Sequence, residues 1–271
     1  MAHQTDWQQK VVLVTGASAG LGRAIAEEFA AAGAAAVMAA RGAERLEAAA
    51  DALRQAGHRV LAVPTDVGET SEVEALVARA VAEFGRLDVL VNNVGQSARG
   101  LALETGVEQF VESLDVNLLA TVRSTRAAAP HVIAAQGSIV NISSLAGKAA
   151  ARFLGAYPAA KHALSAYTQQ LRLELAADGV HVLLVCSGPI ARDDAQQRYV
   201  EQSADLPESA RKPGAGVRAK ATDPHWLARR IVRACERRQG EIVVPAKARL
   251  LFALAQLSPR LGDALLRRLT G

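Results

Sequence analysis

The sequence predicts an α/β protein: a doubly wound parallel sheet of about seven strands, helices on both faces, and a short helical C-terminal extension. Three observations predict it. Short apolar runs alternate with helical patterns, each pair about thirty residues long, the rhythm of parallel strands joined by right-handed crossovers. The first apolar run passes straight into a glycine-rich turn and then a helix. The residues able to do chemistry fall just after strands, at 16–22, 66, 92–95, 143–144 and 187–190, and such C-terminal edges line one crevice in an open parallel sheet.

Residues 11–14 are β-branched and apolar, as a buried strand requires. Thr15-Gly16-Ala17-Ser18-Ala19-Gly20-Leu21-Gly22 follows, and a helical pattern runs on to residue 32. In that context the glycines let the backbone approach a pyrophosphate at the helix N-terminus. A turn that simply needs small residues is the structural alternative. Residues 35–40 are the second strand, with Arg41 at its end, where an acidic residue would bind a ribose 2′-hydroxyl. A cation there pairs instead with a 2′-phosphate, which favours NADP(H) over NAD(H). Capping the strand or meeting Glu44 is the other use of that charge.

Residues 43–56 read as a helix stopped by Gly57, and 60–63 as the third strand, closing on Thr65-Asp66-Val67. Asp66 can accept from an adenine amino group or cap the next helix, 72–84, which Gly85 ends. Residues 89–91 are the fourth strand, running into Asn92-Asn93-Val94-Gly95. Asn side chains there can tie neighbouring loops together and touch a ribose, or make an ordinary turn. Residues 107–135 read as one long helical region with Asn117 inside it, unfavourable unless that side chain has partners. Residues 139–142 are the fifth strand, leading to Ser143-Ser144; 180–186 are the sixth, ending Ser187-Gly188-Pro189-Ile190. The pattern dissolves over 191–222, a substrate lid or loop. A helix over 223–238 has Pro224 in its first turn, and 241–244 is the seventh strand. The tail, 246–271, holds two amphipathic stretches broken at Ser258-Pro259. They are expected to pack on the domain or a second subunit in preference to a membrane surface.

Tyr157 and Lys161 stand four residues apart at the start of the helix that follows strand five, hence on one helical face. A lysine ammonium there favours the ionised phenol, and a phenol so tuned can give a proton to a carbonyl oxygen or take one from an alcohol. The hydroxyl of Ser144 reaches the same oxygen if strand and helix ends meet. Taken alone, a surface tyrosine and a solvated lysine explain the pair.

Half of the 271 residues are hydrophobic, enough for a large core, and one domain over 1–271 is expected. The net charge of +4 is scattered, with concentrations near 229–238 and 260–268 and no aromatic interleaving. A field that attracts a phosphorylated cofactor is expected, and nucleic-acid binding is not. Cys186 and Cys235 lie far apart in apolar contexts without metal spacing, which suggests buried thiols of a reducing cytoplasm and no metal. Residues 1–10 lack the apolar segment of a secretory leader, and no run has the length of a membrane span; a cytoplasmic location is expected.

In combination, Thr15-Gly16-x-x-x-Gly20-x-Gly22, Asn92-Asn93-x-Gly95, Asn117, Ser144 and Tyr157-x-x-x-Lys161 resemble the short-chain dehydrogenase/reductase family over nearly all of residues 8–245. The resemblance implies a Rossmann sheet ordered 3-2-1-4-5-6-7 and hydride transfer between a nicotinamide and a carbonyl or secondary alcohol. It makes Tyr157 the acid/base, with Ser144 orienting the reacting oxygen and Ser143 as its fallback. Lys161 binds the nicotinamide ribose, and Asn117 supports a relay water. Gly16, Ser18, Gly20, Leu21, Gly22, Asn93, Gly95 and Gly188 would hold the cofactor with Tyr157 and Lys161. Ile190 would meet the carboxamide, and Asp66 and Val67 the adenine. Four departures from the family pattern stand out: Val94 for Ala, Ser187-Gly188 for Pro-Gly, Arg192 for Thr, and Ala19 where many NADP users carry a base. Arg192 would then face a pyrophosphate or an acidic substrate group. The helices carrying Asn117 and Tyr157 imply a homodimer or homotetramer. Gln96, Leu101, Leu103, Phe153, Leu154 and the lid suit an apolar or amphipathic ketone, with reduction the expected direction. A non-catalytic dinucleotide sensor or scaffold, and an NAD-dependent alcohol dehydrogenase, are the alternatives.

Overall fold

The computed structural model describes residues 6–192, 206–211 and 220–269. Seven strands, β1 (Val11–Thr15), β2 (Ala35–Ala40), β3 (Val60–Pro64), β4 (Val89–Asn92), β5 (Ser138–Ser144), β6 (His181–Ser187) and β7 (Glu241–Val244), form one sheet. Every pairing is parallel and the order is β3-β2-β1-β4-β5-β6-β7, the order expected. The order reverses between β1 and β4, so the loops after those strands part and open a crevice.

Alternation along the strands divides the core in two. Val12 and Val14 of β1 point to one face with Ala36 and Met38 of β2. There they meet α1 (Gly20–Ala31), α2 (Ala43–Gln55) and α8 (Pro224–Glu236) through Phe29, Leu46 and Ile231. Val11 and Leu13 point to the other face, onto α3 (Thr70–Phe84) and α5 (Ala120–Ala134) through Leu76 and Val132. A strand buried on both faces has no polar edge to show, which is why these runs are continuously apolar. β2 is mostly alanine and wholly enclosed but for its last residue; the small side chains let helices pack close.

One helical region holds a turn that the apolar pattern does not show. Residues 107–135 are not one α-helix: α4 (Val107–Leu114) passes into a π turn over Asp115–Leu119 before α5 begins. The expected lid over 191–222 lies largely outside the described residues. Its described parts are its base, where Ile190 pairs with Thr222, and the single turn α7 (Glu208–Arg211). The helix carrying Tyr157 is α6 (Tyr157–Glu174). The tail is a helix pair, α9 (Ala248–Leu257) and α10 (Pro259–Leu269). Ala248 and Phe252 seat α9 on Leu184, Cys186 and Val243, while Leu250, Leu257 and Leu261 are exposed. Among the described residues no helix is long and apolar enough to cross a membrane.

Candidate active site

A cavity of about 1100 Å³ runs along the C-terminal ends of the strands. That exceeds a typical small-ligand pocket, so it has room for a dinucleotide and a substrate together. At the β1 end its wall is Gly16, Ser18, Leu21 and Gly22. Gly16 and Gly20 have φ of +66° and +55°, which only glycine adopts without strain. A Cβ on Gly22 would run into the carbonyl of Gly16, so the turn closes only with glycine there. Asn93, just after β4, braces it, donating from Nδ2 to the carbonyls of Thr15 (3.0 Å) and Gly16 (3.3 Å). No side chain caps α1 and no acid lies in its first turn. Its leading N–H groups therefore face the crevice as an anion site. These features fit a dinucleotide pyrophosphate.

Arg41, Asp66 and Val67 line the cavity beyond β2 and β3, with Arg45 one helical turn past Arg41. Arg41 Nη1 lies 3.9 Å from Asp66 Oδ2, and both side chains are solvent-accessible. Asp66 does not cap α3. Its Oδ1 accepts from the Gly68 amide at 2.9 Å, a local Asx turn, and Glu69 takes the cap position.

Tyr157, Lys161 and Ser144 all line the crevice. Lys161 is only 3% exposed. Its Nζ donates to the Ile142 carbonyl at 3.0 Å and lies 5.9 Å from the centroid of the Tyr157 ring. Burial pushes the lysine pKa down to about 8. Ser144 Oγ accepts from the Ala146 amide at 3.1 Å, capping a short 3₁₀ turn. Ser143, the residue before it on β5, lines the cavity as well but is buried, with its hydroxyl 3.4 Å from that of Ser165.

Asn117 is fully enclosed and lies outside the crevice wall. Its Nδ2 donates to the carbonyls of Gln96 (2.9 Å) and Ser113 (3.0 Å), and its Oδ1 accepts from the Gln96 amide. Ser113 is the carbonyl an α-helix would offer to the Asn117 amide; the side chain occupies it, and the helix widens into the π turn there. Gly95 fills the gap between: a Cβ on it would stand 2.9 Å from Asn117 Oδ1 and 3.0 Å from Lys161 Nζ.

At the substrate end Gln96, Leu154, Gly188, Ile190 and Arg192 line the cavity. Phe153 does not. Its φ of +64° turns the chain, so that Leu154 takes the crevice position and the Phe153 ring meets Arg152. Leu101 and Leu103 are likewise no part of the wall; Leu103 is fully exposed. Two features carry no sequence signal. Arg99 is buried, lines the cavity and donates from Nε to the Ala210 carbonyl at 2.6 Å, holding α7 in place. Beneath the site a polar chain crosses the core: Asn92 Nδ2 to Thr125 Oγ1 and Asn141 Oδ1, and Asn141 Nδ2 to Thr168 Oγ1. Among the described residues no cluster could hold a metal.

The family model of the short chain dehydrogenases matches residues 10–203. The chain belongs to that family. This dehydrogenase is 33% identical to the ketoacyl reductase HetN of Nostoc over 265 residues, 95% of this chain and 88% of that one. Among solved structures it resembles L-sorbose reductase from Gluconobacter frateurii, complexed with NADPH and L-sorbose, at 28% identity. The TM-score is 0.77, covering 89% of this chain and 97% of that one. It also resembles a short chain dehydrogenase/reductase from Burkholderia phymatum in complex with NAD, at 27% identity. The TM-score there is 0.82, covering 95% and 96%. The dehydrogenase is an oxidoreductase that acts on alcohol and carbonyl groups with a nicotinamide cofactor.

Proposed function

We propose that this dehydrogenase uses NADP(H) to reduce an apolar or amphipathic ketone to the secondary alcohol, working as one domain over 1–271. The observation that carries the reading is the buried ammonium of Lys161 beside the Tyr157 ring, inside the crevice that the uncapped N-terminus of α1 opens onto. When bound, the nicotinamide supplies or accepts the hydride. Tyr157 gives the proton to the substrate oxygen, and the lysine ammonium stabilises the phenolate left behind. Ser144, whose hydroxyl proton is free because its oxygen only accepts from Ala146, donates to the same oxygen. Ser143 lacks that role because its hydroxyl is engaged beside Ser165. Asn117 acts through structure: its side chain holds the Gln96 backbone.

Arg41 and Arg45, both in the cavity wall, support the preference for a 2′-phosphate. Asp66, 3.9 Å from Arg41, would pair with it in the absence of that phosphate. Asp66 and Val67 would meet the adenine, and Ile190 the carboxamide. Exposed Val107, Val111, Leu119 and Leu173, on α4, the π turn and α6, support a homodimer or homotetramer through those helices.

Purified protein tested for NADPH consumption on steroid, acyl, aromatic and sugar ketones checks the substrate class; turnover of small sugars alone overturns the apolar reading. Dissociation constants for NADPH and NADH, in the parent and in Arg41→Ala, check the cofactor. The substitution is expected to weaken NADPH and leave NADH nearly unchanged. Equal effects on both overturn the 2′-phosphate reading.

A further inference from the structure

The helix pair α9–α10 walls the substrate end of the crevice. Ala248, Leu251 and Phe252 from α9 line the same cavity as Tyr157, and so does Leu266 from α10. The base of α9 is anchored on Leu184, Cys186 and Val243. α10 is held against α9 at one close crossing. Gly262 is buried in mid-helix, and a Cβ on it would stand 2.6 Å from the Cβ of Ala255 and 2.7 Å from its Cα. Glycine weakens a helix interior, and here the close approach requires it. Residues four apart share a helix face. Leu251 lies four before Ala255, and Leu266 four after Gly262. The crossing that needs glycine therefore turns both leucines toward the crevice. Ala149, Ala151 and Leu154 line the cavity too, and the tail adds one charge to it, Lys247.

We infer that Leu251, Phe252 and Leu266 form an alkyl-chain subsite, so that the enzyme selects carbonyl compounds by the length of an apolar substituent and Leu266 sets the limit. The inference rests on the proposed reduction for the reacting end of the substrate only. A compact polar ketose leaves this wall unused.

The test titrates saturated methyl ketones of graded length into the NADPH complex, followed by nucleotide fluorescence, and measures NADPH consumption with the same series. In the parent, each added methylene tightens binding up to a limiting length. Leu266→Ala weakens the longest ketone about tenfold more than the shortest, as partial loss of a buried leucine contact implies. Leu266→Phe keeps the fold and shortens the preferred chain; should the alanine variant not fold, the phenylalanine variant decides. If long ketones bind and the variants shift the length preference while NADPH is not consumed, the subsite stands and the proposed reduction fails. If parent binding ignores chain length or is absent, or if the variants affect short and long ketones alike, the inference is overturned.

Discussion

The ammonium of Lys161 donates to the Ile142 carbonyl across 3.0 Å, tying α6 to the end of β5. Ile142 lies two residues before Ser144, and Lys161 four after Tyr157. One bond thus sets the placement of the strand that carries the serine relative to the helix that carries the tyrosine.

That bond is made by a group that burial disfavours. The Lys161 pKa is about 8 in the folded protein against an ordinary 10.5. Between those values the unfolded chain holds a proton that the folded chain lacks, so this lysine makes stability rise with pH across the window. Below about 8 the penalty is fully present, on the order of 3 kcal/mol. Lys161→Met in the cofactor-free protein is expected to be more stable than the parent at pH 7, with the advantage shrinking toward pH 10. Denaturant melts at both pH values check it.

Tyr157→Phe removes the proton donor and leaves the ring packing with Ala146 and Leu154. Turnover is expected to fall by about 10²- to 10⁴-fold, the usual worth of a positioned acid. NADPH affinity and melting temperature should stay close to those of the parent. A variant with normal turnover would show that the phenol is not the donor.

Gly95→Ala places a methyl group between Asn117 Oδ1 and Lys161 Nζ, at 2.9 and 3.0 Å. Both atoms are buried and hydrogen-bonded, so their retreat costs about 1–3 kcal/mol of stability. The retreat misplaces the lysine, so kcat is expected to fall at least about tenfold, since small misplacements in a site are expensive. Melts and kinetics on one preparation separate the two effects.

Gly22→Ala meets a rigid obstacle instead, the carbonyl of Gly16. The backbone must move, with an expected loss of about 1–3 kcal/mol. NADPH and NADH should both bind more weakly, because the disturbed turn faces the pyrophosphate they share. Calorimetric titration of both nucleotides checks this.

Cys186 and Cys235 are buried, and burial pushes both thiols up to about 12. A thiolate is the reactive form. Neither should react with a thiol reagent in the native protein near neutral pH, and both should react at once in denaturant. Fast labelling of the native protein would show that one of them opens.

The strand–helix rhythm, the glycine turn and the Tyr157–Lys161 spacing were legible because they are local. Period, turn sterics and one helical turn are written within a few residues of chain. The π turn in 107–135 was not, because it depends on a side chain taking up a backbone acceptor; only the reach of Asn117 to Gln96 and Ser113 reveals its cause. Phe153 looked like the natural apolar wall, yet a left-handed backbone gives that place to Leu154.

The sequence by itself determined the element order, the sheet class and which side chains come to one edge of it. Only the tertiary structure decided that Lys161 is buried, that Arg99 holds α7, that Asn92, Asn141 and Thr168 join beneath the site, and that Gly262 lets α10 close over the crevice. The reason is one of range. Periodicity and turn geometry arise between neighbours in the chain, whereas solvent exclusion and hydrogen-bond partnership arise between elements that meet only after the sheet has assembled.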